Sequence, residues 1–302
     1  MRLLITGVSG MLGHRLALLA AGQHEILGCY RSLRVKIAGV QTIDLGLEDA
    51  AQLTRVVQSW KPEVIIHTAA VTDVDRCERE RDYARRINAE ATSILAELAE
   101  DHGAKFIYIS TDYVFDGQKG IYVESDVPNP ISYYGESKLL GERAVTQECS
   151  KGLILRTSIF GRQVPPRVGL MESLLGALHS GRMLSRFADQ YYSPIYTGDL
   201  SRIILNLLGS EANGLFHAGG ARVSRLEFAE HVAEVFSFDR ARFQPSCFTH
   251  IDGLAKRPKD SSLSSQKLEK LLNIRAPAAR EGLMRLKTEE FETGREGDHR
   301  TQ

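Results

Sequence analysis

The chain has 302 residues, and its 38 Lys+Arg balance 38 Asp+Glu, giving a formal net charge of zero. That length suits one large α/β domain or two unequal ones, and the balance gives no electrostatic footing for nucleic acid or an acidic membrane surface. The four cysteines (Cys29, Cys77, Cys149, Cys247) stand far apart with no Cys-x-x-Cys pairing, so neither a zinc site nor a disulfide framework is expected and a reducing cytoplasm fits best.

The opening Met1-Arg2 leads into a short apolar run ended by Thr6-Gly7, which lacks the long apolar centre and cleavage site of a signal peptide. No stretch approaches the ~18 apolar residues of a membrane span. Residues 3–6, 25–30, 64–68, 106–110 and 152–155 read as buried strands, being short, rich in branched residues and bounded by Gly, Pro or charge. Residues 12–21, 50–59, 83–102 and 134–148 carry helical periodicity between them. This alternation predicts an α/β fold: a doubly wound, mostly parallel sheet covered on both faces, with a cofactor crevice at its carboxyl edge. After Arg156 the rhythm breaks at Pro165-Pro166, Gly169, Gly176, Gly181 and Pro194. The expected organisation is a dinucleotide-binding domain over 1–156, with part of 195–220 returning to it, and a mainly substrate-binding lobe over 157–287. Helices are expected at 199–208, 226–236 and 264–272. Residues 288–302 are almost wholly polar and are expected to be a disordered tail.

Gly7-Val8-Ser9-Gly10-Met11-Leu12-Gly13 follows the first strand directly and opens the first helix. Its glycines allow a tight turn and a close backbone approach to a pyrophosphate, whose charge meets unpaired helix N–H groups. An NAD-selective site would usually carry Asp or Glu after the second strand, at Tyr30-Arg31, and none stands there. Arg31, with Arg34 in reserve, suits a 2′-phosphate, so NADPH is favoured over NADH, which stays possible; an exposed arginine at a strand end is the plainer reading. Asp44 and Leu45 are placed to edge the adenine. Ala69 and Ala70, after His67-Thr68, leave room for ribose and pyrophosphate, although packing alone also favours small residues there.

Ser110-Thr111-Asp112-Tyr113 follows the fifth strand and so reaches the same edge. A hydroxyl there can hydrogen-bond a substrate carbonyl oxygen. Tyr134 and Lys138, four apart on a predicted helix, share one face, and an ammonium beside a phenol favours the phenolate and lowers its pKa. Thr111 is thus expected to orient the carbonyl, Tyr134 to donate the proton, and Lys138 to tune Tyr134 while holding the nicotinamide ribose.

These segments, with Ile87-Asn88-Ala89, Gly141-Glu142, Asp189-Gln190, Ser193-Pro194, Asp199-Leu200 and Arg257-Pro258-Lys259-Asp260-Ser261, resemble the extended short-chain dehydrogenase/reductase superfamily and, within it, the dTDP-4-dehydrorhamnose reductase group. The resemblance covers nearly the whole chain to about Leu286. It implies a Rossmann-type sheet with a smaller C-terminal lobe, and NADPH-dependent reduction of a 4-keto sugar nucleotide, most directly to dTDP-L-rhamnose. Related dehydratases carry an Asp-Glu pair after the catalytic Thr; Asp112-Tyr113 lacks the second carboxylate, which disfavours elimination. Asp112 and Tyr113 are then sugar contacts, or Asp112 supports the fold. A tryptophan that packs on the sugar in many such reductases is absent after Arg156-Thr157-Ser158, so Phe160 supplies that surface or the sugar differs. Arg257 reaches a diphosphate or forms a surface salt bridge. The resemblance leaves two alternatives: a sugar-nucleotide epimerase, and a regulatory subunit like the methionine adenosyltransferase beta subunit. The expected partner is a nucleotide sugar, with no nucleic acid and no membrane, in a homodimer. No metal-ligand spacing is seen.

Overall fold

The computed structural model describes residues 1–250 and 252–292. Strand β1 (Arg2–Thr6) leads through the glycine loop into helix α1 (Met11–Ala20), and β2 (Glu25–Tyr30), β3 (Gln41–Asp44), α2 (Ala50–Trp60) and β4 (Val64–His67) follow. Helices α3 (Val74–Arg79) and α4 (Arg81–Arg85) run through a π-helical turn at Arg86–Glu90 into α5 (Ala91–Asp101). Next come β5 (Lys105–Thr111), a 3-10 turn at Asp112–Val114, α6 (Tyr133–Glu148) and β6 (Gly152–Phe160). The remainder comprises α7 (Leu170–His179), β7 (Leu184–Phe187), β8 (Tyr191–Tyr192), β9 (Pro194–Tyr196), α8 (Thr197–Leu208), β10 (Gly214–His217), β11 (Val223–Ser224), α9 (Arg225–Val235), β12 (Phe243–Ser246), α10 (Gln266–Leu272) and α11 (Ala279–Glu292).

The main sheet has the order β10-β6-β5-β4-β1-β2-β3, with β9 added beside the far end of β6, and its pairings are parallel. Strand order reverses between β1 and β4, so the crevice of a doubly wound fold opens at their carboxyl ends. Alternate side chains feed two cores. Leu3, Ile5, Ile66, Ile107 and Leu155 pack with Leu16 of α1 and Ile204 of α8; Leu4, Ile65, Phe106 and Tyr108 pack with Leu53 of α2, Leu95 of α5 and Val145 of α6. Burial on both faces explains why these strands read as continuous apolar runs. A third core, containing Phe160, Leu174, Phe228 and Leu283, holds the lobe built from α7, α9 and α11. Strands β9 and β10, with α8 between them, return to the main sheet.

Two of the boundaries that differ from expectation change what the chain's second half does. β6 runs on past residue 155 to Phe160, because Ser158 to Phe160 find a new partner in Pro194 to Tyr196 of β9. The tail expected from 288 does not begin there, since α11 continues to Glu292. Its polar residues are ordered by charge rather than burial of apolar area: Glu289 meets Arg15 at 2.5 Å and Arg202 at 3.1 Å, and Glu290 meets Arg162 at 2.6 Å. The rest of that expected tail, 293–302, lies outside the described residues. Among the described residues no helix is long and apolar enough to cross a membrane.

Candidate active site

The glycine loop turns at the carboxyl end of β1. Gly7 has φ +76°, and a Cβ there would stand 2.9 Å from the backbone of Ala69; one on Gly13 would stand 2.4 Å from the Gly7 carbonyl. Only glycine lets α1 start this close to β1 and β4. Gly10 is the N-cap of α1, with no side-chain cap and no acidic residue in the first turn, so the N–H groups opening the helix keep their capacity for an anion. This cradle of Gly7, Gly10, Met11, Leu12 and Gly13 fits a dinucleotide pyrophosphate. Ala69 faces it, with its N–H donating to the Thr6 hydroxyl at 3.2 Å.

Arg31 and Asp44 lie at the adjacent ends of β2 and β3, where Tyr30 and Asp44 pair in register, and the Leu45 N–H donates to the Tyr30 carbonyl at 2.8 Å. The Arg31 side chain is 55% exposed; it meets Glu48 at 2.5 Å and donates to the Tyr83 hydroxyl. It is therefore a held arginine at the edge, already facing a carboxylate.

Thr111 ends β5 in a nearly inaccessible position. Its hydroxyl accepts the Tyr113 N–H at 3.2 Å and donates to Asp112 Oδ1 at 3.1 Å, while Ser261 donates to Asp112 Oδ2 at 2.6 Å. Burial pushes the Asp112 carboxyl up to about 6 against those bonds and the charge of Arg225. Asp112 thus supports the fold around Thr111. Ser132 caps α6 by accepting the Gly135 N–H at 3.3 Å; a Cβ on Gly135 would strike the Tyr113 carbonyl at 2.1 Å, so this glycine lets α6 press against the 3-10 turn. The Tyr113 and Tyr134 rings meet edge to face at 5.9 Å. Loss of water pushes the Tyr134 phenol well above its ordinary value, opposed by its hydrogen bond with Thr111 and reinforced by Asp112, Cys77 and Tyr113.

The net direction differs from the expected one: desolvation leaves the Tyr134 phenol above its ordinary value rather than below it. Helical spacing puts the two on one face, but α6 is pressed onto the sheet and desolvation dominates. Burial pushes Lys138 itself down to about 7, partly offset by Glu142, and its ammonium stands 4.0 Å over the Tyr108 ring.

Three features were not assigned a role from sequence. Asn88, in the π-helical turn, accepts the Val71 N–H at 2.8 Å and donates to the Val71 carbonyl and the Ser137 hydroxyl, each at 3.0 Å, tying the loop after β4 to α6. A lone amide inside an apolar helical pattern was its signal. Glu142 and Arg156 form a buried ion pair behind the edge. Beside Tyr113 lies a cavity of about 490 Å³, whose lining includes Arg186, Gln190, Tyr192, Arg225 and Arg257. The Arg225 guanidinium lies 3.7 Å over the Tyr192 ring. Burial, Arg182 and Arg225 push Arg186 down, and among the described residues neither Arg186 nor Arg225 forms an ion pair. Arg257 does, binding Asp75 through two bonds of 2.9 and 2.7 Å.

The model of the RmlD substrate binding domain family matches residues 1–291. The chain belongs to that family. It is 33% identical over 294 residues to the dTDP-4-dehydrorhamnose reductase of Aggregatibacter actinomycetemcomitans, covering 90% of this chain and 94% of that one. It is 32% identical over 280 residues to methionine adenosyltransferase 2 subunit beta of Danio rerio, covering 89% and 82%. The crystal structure of dTDP-4-dehydrorhamnose reductase from Bacillus anthracis in complex with NADP superposes with a TM-score of 0.83 at 32% identity, covering 95% of this chain and 99% of that one.

Within this RmlD-family fold, Phe160 is not the sugar surface expected of it. It is 2% exposed and packs edge to face on Phe228 at 5.1 Å and against Tyr196 at 5.9 Å. Pairing with β9 carries the end of β6 into the lobe core, which sequence distance from Thr157 does not show. Among the described residues no cluster of His, Cys, Asp and Glu could hold a metal ion.

Proposed function

We propose that the protein is an NADPH-dependent oxidoreductase that reduces a 4-keto sugar nucleotide, most directly dTDP-4-dehydro-L-rhamnose to dTDP-L-rhamnose. The observation that carries this reading is the meeting of Thr111, at the end of β5, with the start of α6 at the carboxyl edge of the sheet, where the Tyr134 ring packs edge to face at 5.9 Å on Tyr113, a residue that also lines the arginine-bearing cavity. A general acid must hold its proton until the carbonyl oxygen needs it, and desolvation ensures that it does. When bound, NADPH supplies a hydride to the carbonyl carbon.

Thr111 and Tyr134 direct their hydroxyls at the sugar carbonyl oxygen. As that oxygen gains negative charge, Tyr134 gives it a proton, completing the alcohol. Lys138 stabilises with its positive charge the phenolate left behind, offsetting part of the cost of desolvation, and it also holds the nicotinamide ribose. The cradle from Gly7 to Gly13, with Ala69 and Ala70, holds the pyrophosphate, while Arg31, Asp44 and Leu45 border the adenosine. Arg186 and Arg225, which meet no carboxylate in an ion pair among the described residues, suit the substrate diphosphate, whose charge their guanidinium groups complement, with Arg257 beside them. Tyr113 contacts the sugar, and the absence of a second carboxylate after Asp112 favours reduction over elimination. The proposed assembly is a cytoplasmic homodimer.

A second reading has the zebrafish relative behind it: a cofactor-holding regulatory subunit of another enzyme. The deciding experiment follows the absorbance of reduced nicotinamide with purified protein, NADPH and dTDP-4-dehydro-L-rhamnose, and analyses the sugar product. Catalytic turnover to dTDP-L-rhamnose supports the reductase. NADPH binding without turnover on dTDP-, UDP- or GDP-linked 4-keto sugars supports the regulatory subunit. Cofactor that stays bound through purification and is regenerated in each cycle supports an epimerase.

A further inference from the structure

The Lys138 ammonium and the Tyr108 ring over which it stands are both nearly inaccessible, at 2% and 0% exposure. Tyr108 belongs to a row of cross-strand neighbours beneath α6, in which Thr6 pairs in register with His67 and His67 with Tyr108. The ring is fixed at its far end: its hydroxyl donates to the Asn88 carbonyl at 3.1 Å in the π-helical turn. Gly141 stands opposite, where any Cβ would come within 2.3 Å of that hydroxyl. His67 stacks alongside at 5.8 Å, and its Nδ1 is 2.7 Å from the Thr6 hydroxyl.

Besides Tyr134, one turn before it on α6, the titratable groups facing Lys138 are Glu142 on its own helix, Cys77 of α3, His67 of β4 and Tyr108 of β5. Burial keeps Cys77 a neutral thiol and Tyr108 a neutral phenol, and burial together with Lys138 keeps His67 a neutral imidazole. Glu142 carries the one negative charge of this group, and Arg156 and Ser110 already engage it. A buried ammonium needs more than that to stay charged. The negative face of an aromatic ring supplies it. A carboxylate in the same place would tie the ammonium down through hydrogen bonds, whereas a ring face attracts the charge and leaves its three N–H donors available.

We propose that Tyr108 is a positioning residue whose ring face holds the Lys138 ammonium at the point from which it serves Tyr134 and favours its charged form. The service to Tyr134 rests on the reductase reading above; the hold on Lys138 does not.

The test is an NMR titration of the protein carrying isotopically labelled lysine, with the Lys138 side-chain signal identified by its absence in Lys138→Arg. Tyr108→Phe keeps the ring and leaves the Lys138 midpoint little changed, whereas Tyr108→Leu lowers it by about one unit, the shift expected of a desolvated cation–ring contact. Should Tyr108→Leu fail to fold, mono-, di- and trifluorinated phenylalanine at position 108 keep the shape while weakening the ring face, and the midpoint falls with each fluorine. A midpoint unmoved across that series overturns the proposal. So does an equal fall in Tyr108→Phe and Tyr108→Leu, which would assign the effect to the hydroxyl. In turnover, the alkaline loss of activity moves to lower pH in Tyr108→Leu and not in Tyr108→Phe. Because the midpoint is read without substrate, a ring-dependent midpoint in a protein without reductase activity would sink the reductase reading alone, and a ring-independent midpoint in an active enzyme would sink the role of Tyr108 alone.

Discussion

Glu142 and Arg156 face each other beneath the carboxyl edge of the sheet, joined by two hydrogen bonds of 2.9 and 2.6 Å, with both side chains almost wholly buried. Ser110 adds a third bond to the same carboxylate, at 2.5 Å. Removing one partner of such a pair leaves an uncompensated buried charge, so Glu142→Gln is expected to destabilise the protein by about 3 to 5 kcal/mol. Replacing both with apolar residues of similar size should recover much of that. Urea unfolding of the single and double variants checks the pair, and a loss below about 1 kcal/mol for Glu142→Gln, the range of exposed pairs, would show that water reaches it.

Tyr134→Phe removes the proposed acid and little volume. Reduction is expected to fall at least ~100-fold, while NADPH binding, followed by fluorescence titration, is retained. Turnover at the parent rate would remove Tyr134 from the mechanism.

Two glycines make a paired test of the cradle. In Gly13→Ala the new methyl meets a backbone carbonyl at 2.4 Å and the Thr68 hydroxyl at 2.7 Å. A carbonyl cannot swing aside as a flexible side chain can, so α1 must shift off β1 and NADPH affinity should drop by about tenfold or more, the effect of ~1.4 kcal/mol. Gly176 of α7 has nothing within 4 Å of such a methyl, and Gly176→Ala should stabilise the protein by roughly 0.5 to 1 kcal/mol through helix propensity. Calorimetry and cofactor titration separate the two outcomes.

Arg31 is expected to discriminate between cofactors. Arg31→Ala should weaken NADPH more than NADH, and equal losses would end the case for phosphate recognition. Glu48→Gln should strengthen NADPH selectively, because it removes a carboxylate 2.5 Å from Arg31 that a 2′-phosphate would have to displace.

Asp112 gives a pH signature. Its folded-state value of about 6 lies above the ordinary 3.8, so between those pH values the folded protein holds a proton that the unfolded chain has released. Stability contributed by this group is therefore present at low pH and lost as pH rises through about 6. Asp112→Asn should remove that slope and gain up to roughly 3 kcal/mol at neutral pH relative to the parent. Denaturant midpoints of both proteins across the window check it, and parallel curves would refute the raised value.

How far these features were legible depends on which physics fixed them. The glycine cradle, Thr111 and the placement of Tyr134 and Lys138 follow from local rules of turn geometry, strand ends and helical spacing, and the chain brings them to one edge. Lys138 shows the limit of such rules: spacing gave the shared face of α6, but the Tyr108 ring and the depth of burial came from β5. Phe160 failed because a strand that changes partner midway changes what lies beside its last residue. Arg225 was missed because the predicted helix began one residue late, at 226, although Ser224 and Glu227 form a capping box around it. The end of α11 was missed because apolar content alone does not count charges that find partners on α1 and α8.

Asp112 and Ser261 are 149 positions apart, and Asp75 and Arg257 are separated by 182. Translation therefore delivers the glycine cradle, Thr111, Tyr134 and Lys138 well before the segment that braces them. At ~5 to 20 residues per second, the nascent sheet waits on the order of ten seconds with the carboxylates of Asp75 and Asp112 still unbraced. The partners of Asp75 and Asp112 are thus made only after the glycine cradle, Thr111, Tyr134 and Lys138 have all been synthesised.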